Sequence, residues 1–233
     1  MITCVLTDIE GTTSSIEFVH KVLFPYARAN FFEFLSTSKD PAVNAEIQAL
    51  WTGELKRDPG SKPDIGDVTK LLQSWIDQDL KIGSLKLLQG KIWAEGFASK
   101  AYLAHVYPDV KAELERWHES GLTLAIYSSG SVEAQKLLFK HTEAGDLTPL
   151  FSAFYDTAVG HKREAKSYQT IVSSLGLPPG DVLFLSDIKE ELDAAGEAGL
   201  QPCQLLREPP PLEGHHRKAK TFYEVTALFF PKS

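Results

Sequence analysis

The chain has 233 residues, 43% hydrophobic and 24% charged, so it is long enough to bury a sizeable core and is neither disordered nor fibrous. Its formal net charge of −7 argues against proteins that bind by neutralising nucleic-acid phosphates, and against binding to anionic membranes. No stretch approaches the roughly 18 consecutive apolar residues of a spanning helix, and no basic segment precedes the first apolar run. We therefore expect a cytoplasmic protein.

The cysteine content excludes a fold that is held together by disulfides or by a cysteine-ligated zinc ion. Cys4 and Cys203 are the only cysteines, and each lies in an apolar run. Two cysteines build neither a disulfide framework nor a four-cysteine zinc site, so we interpret both as small core residues. The sequence contains no repeat and no coiled-coil pattern, which favours a monomer.

Short apolar runs, each ending in small or acidic residues, recur along the chain. They predict strands at residues 2–7, 122–127 and 182–185, a weaker strand at 203–206 and strand-like sequence at 153–157. Helical patterns lie between or after these runs, at residues 110–117, 132–139, 168–175, 189–198 and 221–230. The alternation from about residue 108 onward predicts right-handed βαβ units, and therefore an α/β fold with a doubly wound parallel sheet.

Residues 16–106 interrupt this alternation, because they contain no comparable β-rich run. We predict an inserted helical domain there, with residues 1–15 and 107–233 forming the α/β core. The predicted helices of the insertion cover residues 26–35, 42–50, 68–82 and 89–103. The insertion contains 11 basic and 11 acidic residues, so the whole net charge of −7 belongs to the α/β core.

Polar residues follow several predicted strands. In parallel α/β sheets, ligands bind outside the carboxyl ends of the strands, so these residues should converge on one site. There are four such groups: Asp8 with Glu10, Ser128 with Ser129, the segment Gly160-His161-Lys162, and Ser186-Asp187 with Glu191.

The acidic groups point to a metal. Asp8 and Glu10 lie two residues apart at a strand end, where both carboxylates can face one site, although an acidic turn would give the same sequence. An aspartate in this position can be a nucleophile and a metal ligand. Asp187, at another strand end, would repel Asp8 unless a cation lies between them. Oxygen ligands favour Mg²⁺ over zinc.

The serine and lysine groups point to an anion. Ser128, Ser129 and Ser131 precede the predicted helix 132–139, so hydroxyls, backbone N–H groups and the positive helix end would surround one point. The alternative is that Ser131 only caps the helix. Lys162 would compensate both a phosphate and the metal-binding carboxylates.

Several other features favour a structural role. We interpret His161 as a structural or surface residue, and residues 208–216 as a loop in which His215 and His216 lack metal-ligand geometry. The tryptophans fit core or inter-domain packing; they are Trp51, Trp75, Trp93 and Trp117.

The four groups, in this order, resemble the four motifs of the haloacid dehalogenase superfamily of phosphohydrolases, whose first motif has the form D-x-D-x-T. In finer detail the chain is similar to the enolase-phosphatase branch, which acts in methionine salvage. Residues 8–13 (DIEGTT), 127–139 (YSSGSVEAQKLLF) and 160–162 (GHK) carry this similarity. It covers nearly the whole α/β core and implies that residues 16–106 form a helical cap over the active site.

The resemblance implies a bifunctional enzyme. Its substrate would be 2,3-diketo-5-methylthiopentyl-1-phosphate, which is enolised and then dephosphorylated to an acireductone. Asp8 would be the nucleophile that forms an aspartyl-phosphate, and Glu10 the acid and base of the phosphatase step. Most phosphatases of the superfamily have Asp where this chain has Glu10, and the enolase-phosphatase branch is similar to it in having Glu. Glu10 and a residue of the insertion both remain candidates for the base of the enolisation.

The resemblance also assigns ligands. Mg²⁺ would be held by Asp8, by Asp187 and by Glu10, through its side chain or its backbone carbonyl. Many relatives have paired aspartates where this chain has Asp187 and Glu191, so Glu191 is a weaker metal candidate.

The phosphate would be bound by Ser128, Ser129 and Lys162, so that Lys162 also belongs to the catalytic set with Asp8 and Glu10. Two alternatives stay open at this stage. One is a general phosphatase of the same superfamily without enolase activity. The other is a non-catalytic domain that binds phosphorylated ligands.

Overall fold

The structure, a computed structural model, describes residues 1–80, 82–207 and 215–231. The chain folds as two compact units. The first, which we call the α/β unit, comprises Met1–Ile16 and Leu103–Ser233, and the second, the helical unit, comprises Glu17–Tyr102. Within the described ranges, every helix is too short or too polar to cross a membrane.

A six-stranded sheet forms the centre of the α/β unit. Its strands are β1 (Cys4–Thr7), β2 (Thr123–Tyr127), β3 (Ala153–Tyr155), β4 (Val182–Ser186), β5 (Gln201–Leu205) and β6 (Arg217–Ala219). All neighbouring pairs are parallel, in the order β3-β2-β1-β4-β5-β6. The chain adds strands on one side of β1 and then returns to place β4 on the other side. This reversal beside β1 is where doubly wound sheets bind ligands, and it confirms the predicted fold class.

In the α/β unit, helices follow the strands. In the described part of the helical unit, all of the regular structure is helical. In chain order the helices are α1 (Ile16–Phe18), α2 (Phe24–Thr37), α3 (Pro41–Ala49), α4 (Ile65–Asp77), α5 (Gly83–Ala98), α6 (Val110–Glu119), α7 (Val132–Lys140), α8 (Ala165–Leu175), α9 (Lys189–Glu197) and α10 (Phe222–Phe229). Two π-helical turns, Val19–Leu23 and Leu50–Glu54, extend α1 and α3.

The core of the α/β unit explains why its strands are so apolar. Strands β1 and β4 are buried along their whole length, as expected for parallel strands covered on both faces. Cys4 and Cys203 lie in this core as predicted, and burial raises the pKa of each thiol to about 12. Both thiols therefore stay protonated and unreactive at neutral pH.

The helical unit has its own apolar core, to which α2, α3, α4 and α5 all contribute. Phe31, Leu72 and Leu88 are fully buried in it, and Trp51 and Trp75 pack there as predicted. Two of its helices begin at aspartates: Asp40 accepts a hydrogen bond from Ala42 N, and Asp64 accepts one from Asp67 N. Such caps satisfy backbone N–H groups that have no partner inside the helix.

The structure corrects the bounds of two predicted helices and adds a strand that was not predicted. Helix α4 ends at Asp77 rather than continuing to residue 82, because Asp79 adopts a positive φ of 51° that breaks the helix. Helix α5 begins at Gly83, six residues before the predicted start. Strand β6 was not predicted, since its three residues are mostly polar. Of the predicted loop 208–216, residues 208–214 lie outside the described chain.

Candidate active site

The site lies where β1 and β4 end side by side. Asp8 follows β1 directly, and its backbone N–H donates to Leu185 O at 2.9 Å, which continues the pairing of the two strands by one residue. Its Oδ1 accepts a hydrogen bond from Lys162 Nζ at 2.6 Å. The two residues are 154 positions apart in the chain, and both side chains are buried. The structure therefore brings together two residues that the sequence placed in one site.

Lys162 is only 5% exposed, and its backbone is tightly held. Tyr168 donates its hydroxyl hydrogen to Lys162 O at 2.7 Å, and Tyr127 donates to Gly160 O at 3.0 Å. Gly160 has a φ of +134°, and a Cβ there would lie 2.2 Å from Ser167 Oγ, so glycine is required. The two tyrosines, which the sequence indicated only as core, thus fix the segment that carries the lysine.

Glu191 is the second partner of Lys162. It lies in the first turn of α9, and its Oε2 accepts from Lys162 Nζ at 2.8 Å and from Ser186 Oγ at 2.9 Å. Burial, followed by the charge of Asp8, raises the pKa of Glu191 to about 7. Burial opposes the charged form of Lys162, but Asp8 and Glu191 outweigh it and raise the pKa of the ammonium. The side chain of Glu191, a weaker metal candidate in the sequence, is thus committed to the lysine and to Ser186.

Glu10 faces the end of β2. Its Oε2 accepts a hydrogen bond from Ser128 Oγ at 3.1 Å, and Gly130 N donates to the same Ser128 oxygen at 3.3 Å. Burial, with the nearby Asp8 charge, raises the pKa of Glu10. A carboxyl with a raised pKa in contact with a hydroxyl is suited to donate and accept protons.

Asp187 completes the acidic set. Its Oδ1 is buried and has no hydrogen-bond partner within the described chain. A Cβ on Gly11, where φ is +72°, would lie 2.3 Å from Asp187 Oδ2, so only glycine lets the loop after Asp8 pack against this carboxylate. Burial and the charge of Asp8 raise the pKa of Asp187 to about 7. Gln204 Nε2 donates to Asp187 O at 3.0 Å and fixes its backbone.

At the start of α7, the structure agrees with the alternative in which Ser131 caps the helix. Ser131 caps the helix by accepting from Ala134 N at 3.3 Å, and Asp156 Oδ2 accepts from Val132 N at 3.1 Å. A carboxylate therefore already occupies the helix N-terminus, so this end is not the free positive group that the sequence indicated. Ser129 is exposed beside Ser128.

The histidines lie outside this site. His161 is exposed and its Nδ1 accepts from Arg163 N, in agreement with a structural role. His216 lies in a bend before β6, as the predicted loop requires, but its side chain is 6% exposed and its Nε2 lies 2.7 Å from Asp193 Oδ1. The prediction that His215 and His216 lack metal-ligand geometry was wrong, because their ligand atoms and one of Asp193 lie within 4.8 Å of one another. However, Lys189 Nζ binds the second Asp193 oxygen at 2.5 Å, so an ion-pair cluster accounts for the contacts.

The charge balance of the site fits a divalent cation. Four carboxylates, those of Asp8, Glu10, Asp187 and Glu191, belong to this site. In the described chain Lys162 contacts two of them, Asp8 and Glu191, and its charge also acts on Glu10 and Asp187. Burial, followed by the charge of Asp8, raises the pKa values of Glu10, Asp187 and Glu191, and Asp187 Oδ1 has no donor among the described residues. Oxygen ligands with excess negative charge are the environment that Mg²⁺ favours.

Comparison with known proteins gives a consistent result. Residues 2–199 match the family of haloacid dehalogenase-like hydrolases. A protein from Granulibacter bethesdensis named enolase-phosphatase E1 is 49% identical over 97% of this chain and 95% of its own length. A protein of the same name from Pectobacterium atrosepticum is 48% identical over 97% of both chains.

A solved structure has a similar fold. The crystal structure of the Unknown transcript 4 protein (UTR4) from Saccharomyces cerevisiae is 31% identical and covers 95% of this chain and 99% of its own, with a TM-score of 0.79. Family match, sequence identity and fold therefore agree over nearly the full length. The chain belongs to the haloacid dehalogenase-like hydrolases and, within them, to the enolase-phosphatase E1 family.

Proposed function

We propose that this chain is a bifunctional enolase-phosphatase. Its substrate is a small phosphorylated diketone, 2,3-diketo-5-methylthiopentyl-1-phosphate, and its products are the acireductone and phosphate. The observation that carries the phosphatase half is the buried contact of 2.6 Å between Asp8 and Lys162 at the β1 exit, with Glu10 two residues away. The enolase half rests on relatives named enolase-phosphatase E1, which are identical to this chain at nearly half of the aligned positions.

Asp8 is the nucleophile of the phosphatase step. Lys162 holds Asp8 Oδ1, which fixes the carboxylate plane and compensates its charge before the phosphate arrives. A carboxylate oxygen attacks phosphorus, the bond from phosphorus to the ester oxygen breaks, and an aspartyl-phosphate forms. Because phosphoryl transfer depends mainly on positioning and charge, a pre-oriented carboxylate is the main requirement.

Glu10 moves the protons in both parts of the phosphatase step, the formation and the hydrolysis of the aspartyl-phosphate. Glu10, whose pKa is raised by burial and by the charge of Asp8, donates a proton to the leaving ester oxygen. The resulting carboxylate then takes a proton from the water that attacks the aspartyl-phosphate, which releases phosphate and restores Asp8. The base that removes the C–H proton in the enolase step stays open between Glu10 and a residue of the helical unit.

Phosphate binding falls to three side chains on other elements. Ser128 and Ser129 follow β2, and Lys162 reaches the same site from the segment before α8. Ser128 is buried and already donates to Glu10, so it can orient both the phosphate and the acid. The positive charge of Lys162 favours the phosphate dianion in a unit that is otherwise acidic.

Mg²⁺ is the proposed cofactor, held by Asp8, Asp187 and Glu10. When bound, it supplies positive charge to phosphate oxygens and relieves the repulsion among the carboxylates. The Glu10 side chain is engaged by Ser128, which favours its backbone carbonyl as the metal ligand. The unpartnered Asp187 Oδ1 supports that residue as a ligand. The roles of the helical unit as cap, of the monomer as the active form and of the cytoplasm as its location remain predictions.

The test is incubation with the diketone phosphate and Mg²⁺ while enol absorbance and phosphate release are followed together. We expect both signals with the unaltered protein. Asp8→Asn should remove phosphate release, with a fall in kcat of at least about a thousandfold, while the melting temperature stays near that of the parent. Glu10→Gln should slow phosphate release, and its effect on enol absorbance will show whether Glu10 is also the base.

Two outcomes would contradict the proposal. Phosphate release without enol absorbance would instead support a general phosphatase of the same family. Near-normal turnover by Asp8→Asn would exclude Asp8 as the nucleophile.

A further inference from the structure

The exit of β5 carries none of the proposed site residues, yet a buried arginine follows it. The side chain of Arg207 is 4% exposed. Its Nη1 donates to both carboxylate oxygens of Asp109 at 2.8 Å, and its guanidinium lies 4.4 Å from the ring centre of Tyr107 and 5.0 Å from that of Phe222. An arginine fixed on three sides in this way has a single defined orientation.

This guanidinium also holds the loop that carries Asp8 and Glu10. Arg207 Nε donates to Thr12 O at 2.9 Å. The loop is a compact turn in which the N–H groups of Thr12, Thr13 and Ser14 all donate to Ile9 O, at distances between 2.9 and 3.2 Å. Because these bonds join Thr12 to the residue between Asp8 and Glu10, a shift of the Thr12 carbonyl is passed to both carboxylates.

The second half of the loop is held by the segment that packs on Arg207. Tyr107 N donates to Thr13 O at 3.0 Å, and Ser15 N donates to His105 Nδ1 at 3.1 Å. Asp109, the partner of Arg207, also accepts from Phe222 N at 2.6 Å. Arg207 therefore links the loop to β5, to the segment before α6 and to the start of α10.

We propose that Arg207 is a positioning residue for phosphoryl transfer, acting through the Thr12 carbonyl to hold Asp8 and Glu10 in their reactive geometry. This inference rests on the proposed function of the site. The groups proposed to bind phosphate, Ser128, Ser129 and Lys162, lie on other elements and make no described contact with Arg207. Loss of the arginine contact should therefore slow the chemical step more than it weakens substrate binding.

The experiment compares Arg207→Lys with the unaltered protein and with Arg116→Lys, using the diketone phosphate and saturating Mg²⁺ at 25 °C. Lysine keeps the charge but cannot reach both Asp109 and Thr12 with a planar fork. Since a displacement of about 1 Å can cost about a hundredfold in rate, we expect kcat to fall by about ten- to a hundredfold, with KM within about twofold. Arg116 pairs with the buried Glu113 at 3.2 Å in the same unit without contacting the loop, so its variant should keep the parent kcat.

Two outcomes would overturn the inference, and they can be told apart. If the unaltered protein releases no phosphate, the proposed function fails and this inference fails with it. If the unaltered protein is active and folded Arg207→Lys keeps its kcat, Arg207 serves stability alone and the inference is overturned, whatever the change in melting temperature.

A second variant covers the case in which Arg207→Lys does not fold. Asp109→Asn keeps an oxygen acceptor for Phe222 N but removes the charge that orients the guanidinium. It should lower kcat in the same direction by a smaller factor, about three- to tenfold, again with little change in KM. An unchanged kcat in this variant would equally overturn the inference.

Discussion

The two units of this chain bury different kinds of side chain. Among the described residues of the helical unit, the buried polar side chains are Thr69 and Gln89, and its ion pairs lie at the surface. The α/β unit, in contrast, buries charges, including the Asp8, Lys162 and Glu191 contacts at the strand exits. It also carries the entire net charge of −7, since the helical unit has 11 basic and 11 acidic residues.

The difference supports our proposal that the α/β unit carries the chemistry. Burying a charge is costly unless it is paired, so a fold shaped by stability alone would resemble the helical unit. At the β1 and β4 exits, the site contains four carboxylates, two of which contact Lys162, and three of the four have raised pKa values. Shifted pKa values of this kind cluster at functional sites, and here they coincide with the strand reversal of the sheet.

The largest effect is expected from breaking the buried ion pair of the α/β unit. Lys162→Met leaves Asp8 and Glu191 buried without their cation, and removal of one partner of a buried pair costs about 3–5 kcal/mol. Phosphate release should also be lost, because Asp8, the proposed nucleophile, and the phosphate would both lose a positive partner. Urea unfolding at pH 7.5 measures the first effect and a phosphate assay the second.

The matched control lies in the helical unit. Lys91 Nζ binds Asp40 Oδ2 at 2.6 Å, but both side chains are more than a third exposed, so water replaces the lost partner. Lys91→Met should therefore leave stability and phosphate release nearly unchanged. Equal losses of stability in the two variants would show that the buried ion pair stabilises the protein no more than the exposed one.

The next effect is a pH dependence of opposite sign in the two units. In the metal-free protein the pKa values of Asp187 and Glu191 are each raised to about 7, above unfolded values near 3.8 and 4.5. The folded protein therefore binds more protons between about pH 4 and 7, and its free energy of unfolding falls as pH rises through this window, by a few kcal/mol. Above about pH 7 the loss should level off.

The helical unit should respond in the other direction. Hydrogen bonds from Lys91 and Arg28 lower the pKa values of Asp40 and Asp77, so their stabilisation is present above pH 4 and is lost only as pH falls further. Thermal unfolding of metal-free protein from pH 5 to 8 tests the first slope. Mg²⁺ should raise the melting temperature more at pH 8 than at pH 5, because protons compete with it for Asp187. A metal-free protein whose stability rises steadily from pH 5 to 8 would refute this account.

Much of this arrangement could be predicted from the sequence, because it follows from one rule of parallel sheets. Asp8, Ser128 and Asp187 each follow an apolar run, and the carboxyl ends of such strands meet at one edge. For Lys162 and Asp8, the sequence predicted that they lie in the same site but not that they are in contact. The partner choice of Lys162 depends on Tyr127 and Tyr168, whose hydroxyls hold the lysine segment but whose sequence signal is that of ordinary core residues.

Other parts could not be predicted, since their signals are not periodic. Strand β6 has three residues on a sheet edge and no apolar run, so nothing local distinguishes it from a loop. Arg207 contacts residues nearly 200 and 100 positions earlier, Thr12 and Asp109, and only the fold brings them together. Glu191 was visible as an acidic residue, but its bonds to Lys162 and Ser186 depend on how α9 faces the strand exits.

The smallest effect is expected at Ser131, which the sequence left open between helix cap and anion ligand. Ser131→Ala removes the hydrogen bond from Ala134 N and should cost about 1 kcal/mol of stability, the usual value for such a cap. Asp64→Ala, at the start of α4 in the helical unit, removes a bond of the same kind from Asp67 N and should act only on stability as well. In Ser131→Ala, KM for the diketone phosphate should stay within about twofold of the parent value. In Ser128→Ala, KM should rise by about tenfold, because a lost hydrogen bond to a charged group costs about 1.5 kcal/mol. If Ser131→Ala raised KM as much as Ser128→Ala, the start of α7 would belong to the phosphate site despite the Asp156 carboxylate that now occupies it.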